Sequence, residues 1–393
     1  MRIKQISVTD LFGVFNHVIP LNIEKRITII YGKNGVGKTT LLKLINRVFQ
    51  LEGFKNSEIF NLRSQGLDSS TISLIFPSKE LGFSNILFDQ LTINFDNNVY
   101  LNINRKENFP DRKEENILSV YNLVHEYNPE NFIKVRLIEH DRLLNLAANN
   151  LSKSNHQLLL HSVANYAQEL ARNIQLKLTE YGTLSQSLDR TFPARAVQQN
   201  RLPKLTDAIF KDKLNKLEKK RSDLIDYGLL DRDENIDIQI SGDIDESTKK
   251  ILSIYIEDAE IKLSLFDDIA RKIDVLKRII NNKFYYKQIN ISKDTGFTFT
   301  TDDGNSLSPT NLSSGEQHEL VLLYELLFKV KPNSLILIDE PELSLHVEWQ
   351  VQFLKDLQEI TQLSNIDVLI ATHSPDIIHD RWDLTVELKG PAE

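Results

Sequence analysis

The chain has 393 residues, of which 41% are hydrophobic, 8% aromatic and 26% charged, with a formal net charge of −8. This is the make-up of a soluble globular protein with room for two or three domains, or for one large core with an insertion. There is no cysteine, which excludes a disulfide framework, a thiolate zinc site, an iron–sulfur cluster and a cysteine nucleophile, and the acidic balance argues against a surface coated in phosphate-binding charge.

The first residues, MRIKQISVTDLFG, alternate polar and apolar and do not read as a signal peptide. The longest apolar runs, such as LVLLYELLFKV, are broken by Glu325 and too short to span a bilayer. A cytoplasmic protein with no membrane partner is expected. Short strands are expected at IKQISV, VIPLNI and RITIIYG (26–32), then a helix over 39–50 with apolar residues at 41, 42, 45, 48 and 49. Period-two patterning over 71–104 predicts antiparallel strands with an Asp-Asn-Asn turn at 96–98. Residues 105–116 read as an exposed loop, and VRLIEHDRLL (135–144) begins as a buried strand.

From about 145 to 285 glycine and proline become scarce and helical spacing dominates. Phe210, Leu214, Leu217 and Leu224 recur at about 3.5 residues, as do Leu252, Ile256, Ala259, Leu263, Phe266, Ala270, Ile273, Leu276 and Ile280. The second set predicts one helix over 247–283, able to pair with the first as a short antiparallel coil. LDRTFPAR (188–195) reads as a helix-breaking turn in which Arg190 and Arg195 reach the functional site or a partner, or equally as a hinge with ordinary surface arginines. Residues 204–221 hold seven Lys/Arg against three acids and 226–260 eleven acids against three bases; the first is a nucleic-acid contact or a coil face balanced by the second. Strands return at 285–292 and 296–304, followed by a helix (315–328), the strand SLILID (334–339), a helix (344–360) and the strand DVLIATH (367–373). The organisation expected is therefore α/β: residues 1–144 and 286–393 form two lobes of one head, and 145–285 form a helical insertion.

GKNGVGKT (32–39) matches G-x-x-x-x-G-K-[ST] between a strand and a helix. In that context Gly32, Lys33, Asn34, Gly35, Val36, Gly37, Lys38, Thr39 and Thr40 are candidates to cradle phosphates with backbone N–H groups. Lys38 would reach the β- and γ-phosphates and Thr39 would bind Mg²⁺. A glycine-rich turn that binds nothing is the rival reading. LILIDEPE (335–342) delivers two carboxylates at the end of an apolar strand, with Asp339 suited to hold Mg²⁺ and Glu340 to orient and deprotonate water; alone, the acids could merely cap the next turn. In NLSSGEQHE (311–319), a serine followed by Glu316 or Gln317 spells a capping box. The open Ser-Ser-Gly run could equally accept a phosphate from another molecule. ATHSP puts His373 at a strand end, beside the Asp-Glu strand if the sheet is parallel, where it would sense a γ-phosphate. No histidine spacing resembles a metal site and no G-x-S-x-G elbow occurs.

Taken in order, GKNGVGKT, LSSGEQ, LILIDEPE, ELSLH and ATHSP resemble the ABC-type ATPase head, and within it the RecF/SMC-like branch, which includes DNA-repair ATPases and bacterial anti-phage ATPases. The resemblance implies an antiparallel β lobe and a RecA-like α/β lobe interrupted by an α-helical, short coiled-coil insertion, with ATP and Mg²⁺ as cofactors. It implies a head-to-head dimer, and room for higher oligomers, in which Lys38 and Thr39 of one copy face Ser313, Ser314, Gly315 and Glu316 of the other. Glu340 would be the base, His373 the γ-phosphate contact, and Ser344 to His346 the loop at the dimer seam. Three departures stand out: VRLIEHDRLL offers His140, Asp141 and Arg142 where the family usually has a glutamine, only about 20 residues follow His373, leaving no fused nuclease of the overcoming-lysogenisation-defect type, and the insertion is too short for a chromosome-tethering coil. The function expected is an ATPase whose ATP-dependent dimerisation regulates a separate effector, such as a nuclease or toxin, in anti-phage defence. The alternatives are a DNA repair or recombination ATPase that binds DNA, and an ATP-binding scaffold with little turnover, which the presence of Glu340 weakens.

Overall fold

The computed structural model describes residues 2–49, 71–77, 88–96, 100–106, 133–138, 155–198, 207–232, 245–343 and 345–390. Chain contacts divide it into two compact units, residues 1–145 with 329–393, and residues 146–328. The first unit begins with β1 (Ile3–Leu11), β2 (Phe15–Pro20), β3 (Ile27–Tyr31), α1 (Lys38–Phe49), β4 (Thr71–Pro77), β5 (Gln90–Phe95), β6 (Tyr100–Lys106) and β7 (Val135–Ile138). Alternation in β1 turns Ile3, Ile6, Val8 and Leu11 inward. The sheet order is β2-β1-β5-β6-β4. Its pairs are antiparallel except the last: β4 runs parallel to β6, from Thr71 opposite Tyr100 to Pro77 opposite Lys106. The expectation of antiparallel strands throughout 71–104 is corrected. Both edges of β5 are taken by β1 and β6, which leaves β4 the outer edge of β6.

The second unit holds α2 (Asn155–Gln198), α3 (Asp207–Asp226), α4 (Glu246–Ser264) and α5 (Asp267–Lys283), then the antiparallel strands β8 (Lys287–Ser292), β9 (Gly296–Thr301) and β10 (Ser306–Leu307), and α6 (Ser314–Tyr324), which continues into a π-helical turn over Glu325–Lys329. Three sequence expectations change here. First, α2 runs through Pro193 instead of breaking; the Arg195 guanidinium donates to the Leu188 carbonyl at 2.9 Å and bridges to Asp258 on α4 at 2.6 Å, supporting the helix around the proline. Second, the single helix expected over 247–283 is two, because the chain turns at Leu265–Phe266 to bury Phe266 completely, and Asp267 and Asp268 open the next helix. Third, α3 does not run antiparallel to its partner. Lys213 meets Glu260, Lys220 meets Asp267 and Tyr227 meets Asp274, so both strands of the pairing advance in steps of seven in the same direction. The unit also continues past residue 285, the end expected for the insertion, because β9 and α6 pack on α2 and β8 on α5.

The first unit is completed by β11 (Leu335–Asp339), α7 (Val347–Ser364), β12 (Asp367–Ala371), α8 (Pro375–Ile378) and β13 (Thr385–Glu387). Its second sheet is wholly parallel, in the order β13-β3-β12-β11-β7. The runs ITII, LILI and VLIA are apolar at every position because a parallel sheet is covered on both faces. One core joins the unit, with Leu41, Leu42, Leu44 and Ile45 of α1 among Ile6, Val8, Leu91 and Ile93 of the first sheet and Ile30, Leu337 and Leu369 of the second. Each such side chain contributes about 1.5–3 kcal/mol by leaving water, so Leu41→Ala would cost about 2–5 kcal/mol. Arg2 clamps Asp367 at 2.5 and 2.8 Å, fixing the start of β12 to β1. Among the described residues, no helix is long and apolar enough to cross a membrane.

Candidate functional site

The parallel sheet decides which motifs meet. β12 lies between β3 and β11, with Ala371 opposite Ile30 on one side and Asp339 on the other. The segments that leave the C-terminal ends of β3, β11 and β12 therefore converge, at the edge where open α/β sheets bind ligands. These segments carry GKNGVGKT, DEPE and THS.

The turn after β3 needs its glycines. A Cβ on Gly37, at φ +94°, would come within 2.6 Å of Leu11 Cδ2, and one on Gly32 within 2.5 Å of the Leu388 carbonyl oxygen. Lys33, Asn34 and Gly35 are exposed, while the Val36 side chain is buried and anchors the loop to the core. Behind the loop, buried His17 on β2 places Nε2 2.8 Å from the Val36 carbonyl oxygen, to which it donates. Burial pushes the His17 imidazole below its ordinary pKa, against the opposing pull of that hydrogen bond. Lys38 and Thr39 open α1, whose N-terminus faces the loop, and Thr40 follows, half-buried.

The Lys38 Nζ donates to the carbonyl oxygens of Gly32 at 2.8 Å and Lys33 at 3.2 Å, and to His373 Nδ1 at 3.2 Å. Burial pushes its pKa down, while Glu340, Asp339 and Glu342 pull it up. An ammonium only donates, so Nδ1 of His373 accepts and the ring proton sits on Nε2. That Nε2 faces Glu340 Oε1 at 3.3 Å. The result is a chain from Lys38 through His373 to Glu340. Thr39 Oγ1 donates to Asp339 Oδ1 at 3.0 Å, a hydroxyl and a carboxylate side by side. Glu340 itself sits at φ +46°, a strained turn for a non-glycine residue. Its N–H donates to the Ala371 carbonyl, and the turn carries its side chain across to His373.

Such an arrangement can hold a triphosphate against backbone N–H groups and Lys38. Thr39 and Asp339 offer hard oxygens to Mg²⁺, which usually takes one or two protein ligands and completes its shell with phosphates and water. Among the described residues no group of three or more His, Cys, Asp or Glu side chains could hold a metal by itself.

The fourth motif lies in the second unit. Ser313 caps α6: its hydroxyl accepts from Glu316 N, and Glu316 Oε2 accepts from Ser313 N at 2.9 Å, so the expected capping box is present. Lys287 donates to Glu316 Oε1 at 2.6 Å. Burial raises the Glu316 carboxyl, but Lys287 and Ser313 outweigh it and hold the group below the usual carboxylate range. Ser313 and Ser314 are exposed, and a Cβ on Gly315 would meet nothing within 4 Å, so this helix end is open to a ligand. Ser344, His140, Asp141 and Arg142 lie outside the described residues. In the basic run, Lys213, Lys216, Lys220 and Arg221 each pair with an acid, as a balanced coil face would have them.

Two residues at the site were missed by sequence reasoning. Glu342, the last acid of DEPE, accepts from Thr372 Oγ1 and from His373 N, both at 2.8 Å; its place two residues past Glu340 was the available signal. His17 had none, since only the fold brings β2 behind the loop.

A parallel sheet bearing a phosphate loop, an Asp-Glu strand end and a strand-end histidine, in that order with a Ser-Ser-Gly helix start, defines an ABC/SMC-like ATPase head. Over residues 1–378 the chain matches the family described as AAA ATPase domain, and it belongs to that family. It is 22% identical to the Retron Ec83 probable ATPase of Escherichia coli over 96% of its own length and 70% of that protein's. It is 24% identical to the Retron Vc95 probable ATPase of Vibrio cholerae over 96% and 71%. A putative ABC transporter ATP-binding protein of Clostridium acetobutylicum is 27% identical over 36% of this chain and 51% of that one. Among solved structures, the Smc head domain of Pyrococcus furiosus aligns at a TM-score of 0.37 and 14% identity, covering 99% of this chain and 94% of the other.

Proposed function

We propose that the chain binds ATP with Mg²⁺ and hydrolyses it, and that two copies close head to head over the nucleotide to regulate a separately encoded effector in anti-phage defence. The observation that carries the reading is the chain Lys38–His373–Glu340 beside the Thr39–Asp339 pair. Lys38 and the N–H groups of residues 32–39 bind the phosphates. Thr39 and Asp339 would hold Mg²⁺, which would supply positive charge against the phosphates. Glu340 orients water and takes its proton, and His373 contacts the γ-phosphate. Ser313, Ser314, Gly315 and Glu316, at an open helix start, complete the partner copy's site.

The retron ATPases it resembles support the defence role, and the paired lysines of α3 weigh against the DNA-repair alternative. The test is Mg²⁺-dependent phosphate release by wild type, K38A and E340Q, with sedimentation of E340Q with and without ATP. Turnover in wild type alone, and an ATP-dependent dimer of E340Q, are expected. Equal turnover in K38A would overturn the site, and an unchanged sedimentation coefficient would overturn the dimer.

A further inference from the structure

Around the turn that follows β11 a closed ring of hydrogen bonds joins three segments of the first unit. Glu342 Oε1 accepts from the Thr372 hydroxyl and the His373 backbone N–H, both at 2.8 Å. Thr372 Oγ1 accepts in turn from Ser374 N at 2.9 Å. The Ser374 hydroxyl donates to Gln350 Oε1 at 3.1 Å, and Gln350 Nε2 returns to the carbonyl oxygens of Glu342 at 3.2 Å and Leu345 at 3.4 Å. Thr372 is fully buried and Gln350 nearly so. The ring encloses the backbone on either side of His373 and fixes it to the turn that presents Glu340.

Local propensity does not require this ring. β12 ends at Ala371; Thr372 N still donates to the Ile30 carbonyl of β3 at 3.2 Å, but the N–H groups of His373 and Ser374 go to side chains, Glu342 and Thr372. Glu342 leaves the short 3₁₀ turn Pro341–Leu343 and supplies the missing acceptor. Both ring nitrogens of His373 have work: one faces Lys38 and the other Glu340. Neither can set the height of the imidazole above the sheet, and a displacement of about 1 Å at a reacting group can cost about 100-fold in rate.

We infer that Glu342, with Gln350 behind it, is a positioning residue that sets the place of His373 against Glu340 for the hydrolytic step. Glu342 acts through the His373 backbone and touches no nucleotide. The inference rests on the reading of His373 and Glu340 given above. It assigns a purpose to the last acid of DEPE that the phosphate loop and the Asp-Glu pair do not supply. Glu342 Oε2 is buried and, among the described residues, has no hydrogen-bond partner. An amide nitrogen placed there would displace no existing bond, so Glu342→Gln keeps the acceptor that matters.

The test uses the full chain with ATP and Mg²⁺. E342A should lose about 10- to 100-fold in kcat, with KM and the Kd for a fluorescent ATP analogue changed no more than about threefold. E342Q should recover most of that loss, and Q350L should show the same pattern more weakly. The double variant H373A/E342A should be no slower than H373A, because both act at one group. Wild-type kcat in E342A, a loss confined to KM, no rescue by glutamine, or losses that multiply in the double variant would each overturn the inference. The ¹⁵N signals of His373, assigned by their disappearance in H373A, give a readout that needs no turnover. Wild type should show the proton on Nε2, and E342A should mix the two tautomers. Unchanged signals would overturn the inference even in a protein that turns over nothing. Wild-type turnover in H373A, with the tautomer shift intact, would instead sink the catalytic reading and leave the ring standing.

Discussion

The two units treat buried charge in opposite ways. In the helical unit three buried or half-buried pairs of opposite charge form, Lys283 with Glu319, both almost fully buried, Lys287 with Glu316, and Arg195 with Asp258, and the fully buried Glu325 is met by the Tyr166 hydroxyl. Even the cavity of about 280 Å³ lined by Tyr181, Phe192 and Tyr255 has its charges met, Lys262 by Asp189 and Arg221 by Glu218. In the unit with the phosphate loop, one ammonium, Lys38, feels three carboxylates, Asp339, Glu340 and Glu342. Balanced pairs hold elements in register. An imbalance of this kind is costly in a folded protein and suits a site completed by a divalent cation and a ligand. That cavity is thus a poorer guide to chemistry here than the uneven charge.

Breaking one balanced pair should produce the largest effect. Lys283→Met removes the ammonium that meets Glu319 inside the helical unit, and should destabilise the chain by about 3–5 kcal/mol in a denaturant titration. Adding Glu319→Leu should recover most of that, because an apolar pair restores the balance. If K283M alone is neutral, the pair does not hold α6 and the comparison loses its first half. The unbalanced site should respond differently. Glu340→Gln removes one of three like charges, so stability should stay level or rise while ATP turnover falls about 100-fold or more. A variant that loses stability in proportion to activity would make Glu340 a structural acid.

Much of this contrast was legible in the sequence, and the reasons differ by element. GKNGVGKT and LILIDEPE are local: each is a strand end with its chemistry attached, so the loop, the Asp-Glu pair and His373 could be named, and the parallel sheet brings them together. The capping box at Ser313 was equally local. What could not be read depends on partners far along the chain. The direction of β4 follows from which edge of the first sheet is free. The run of α2 through Pro193 depends on Arg195 finding Asp258, 63 residues away. Heptad spacing in 204–226 and 247–283 was visible, but a period of seven is the same for parallel and antiparallel pairs, and only the ion pairs reveal the direction.

Ser313→Ala gives the third test, at the helix start of the balanced unit. Loss of a helix cap should cost about 1 kcal/mol in stability. If turnover falls far more than that cost explains, the helix start acts on nucleotide as well as on its own N–H groups. If stability and turnover move together, Ser313 is a cap alone.

The smallest effect tests the phosphate loop from behind. His17 is buried and neutral, with its pKa held below the ordinary 6.5 chiefly by loss of water. In the unfolded chain the same ring titrates near 6.5, so as pH falls below that value the unfolded state takes up a proton that the folded state refuses. The contribution of neutral His17 is therefore present above 6.5 and is lost as pH drops through its folded pKa. Gln at this position keeps an N–H for the Val36 carbonyl but cannot titrate. The melting temperature of wild type should thus fall relative to that of H17Q between about pH 7.5 and about pH 5. A gap that stays constant or moves the other way would mean that the loop does not depend on an uncharged ring, and that the donor behind Val36 is free to carry a proton of its own.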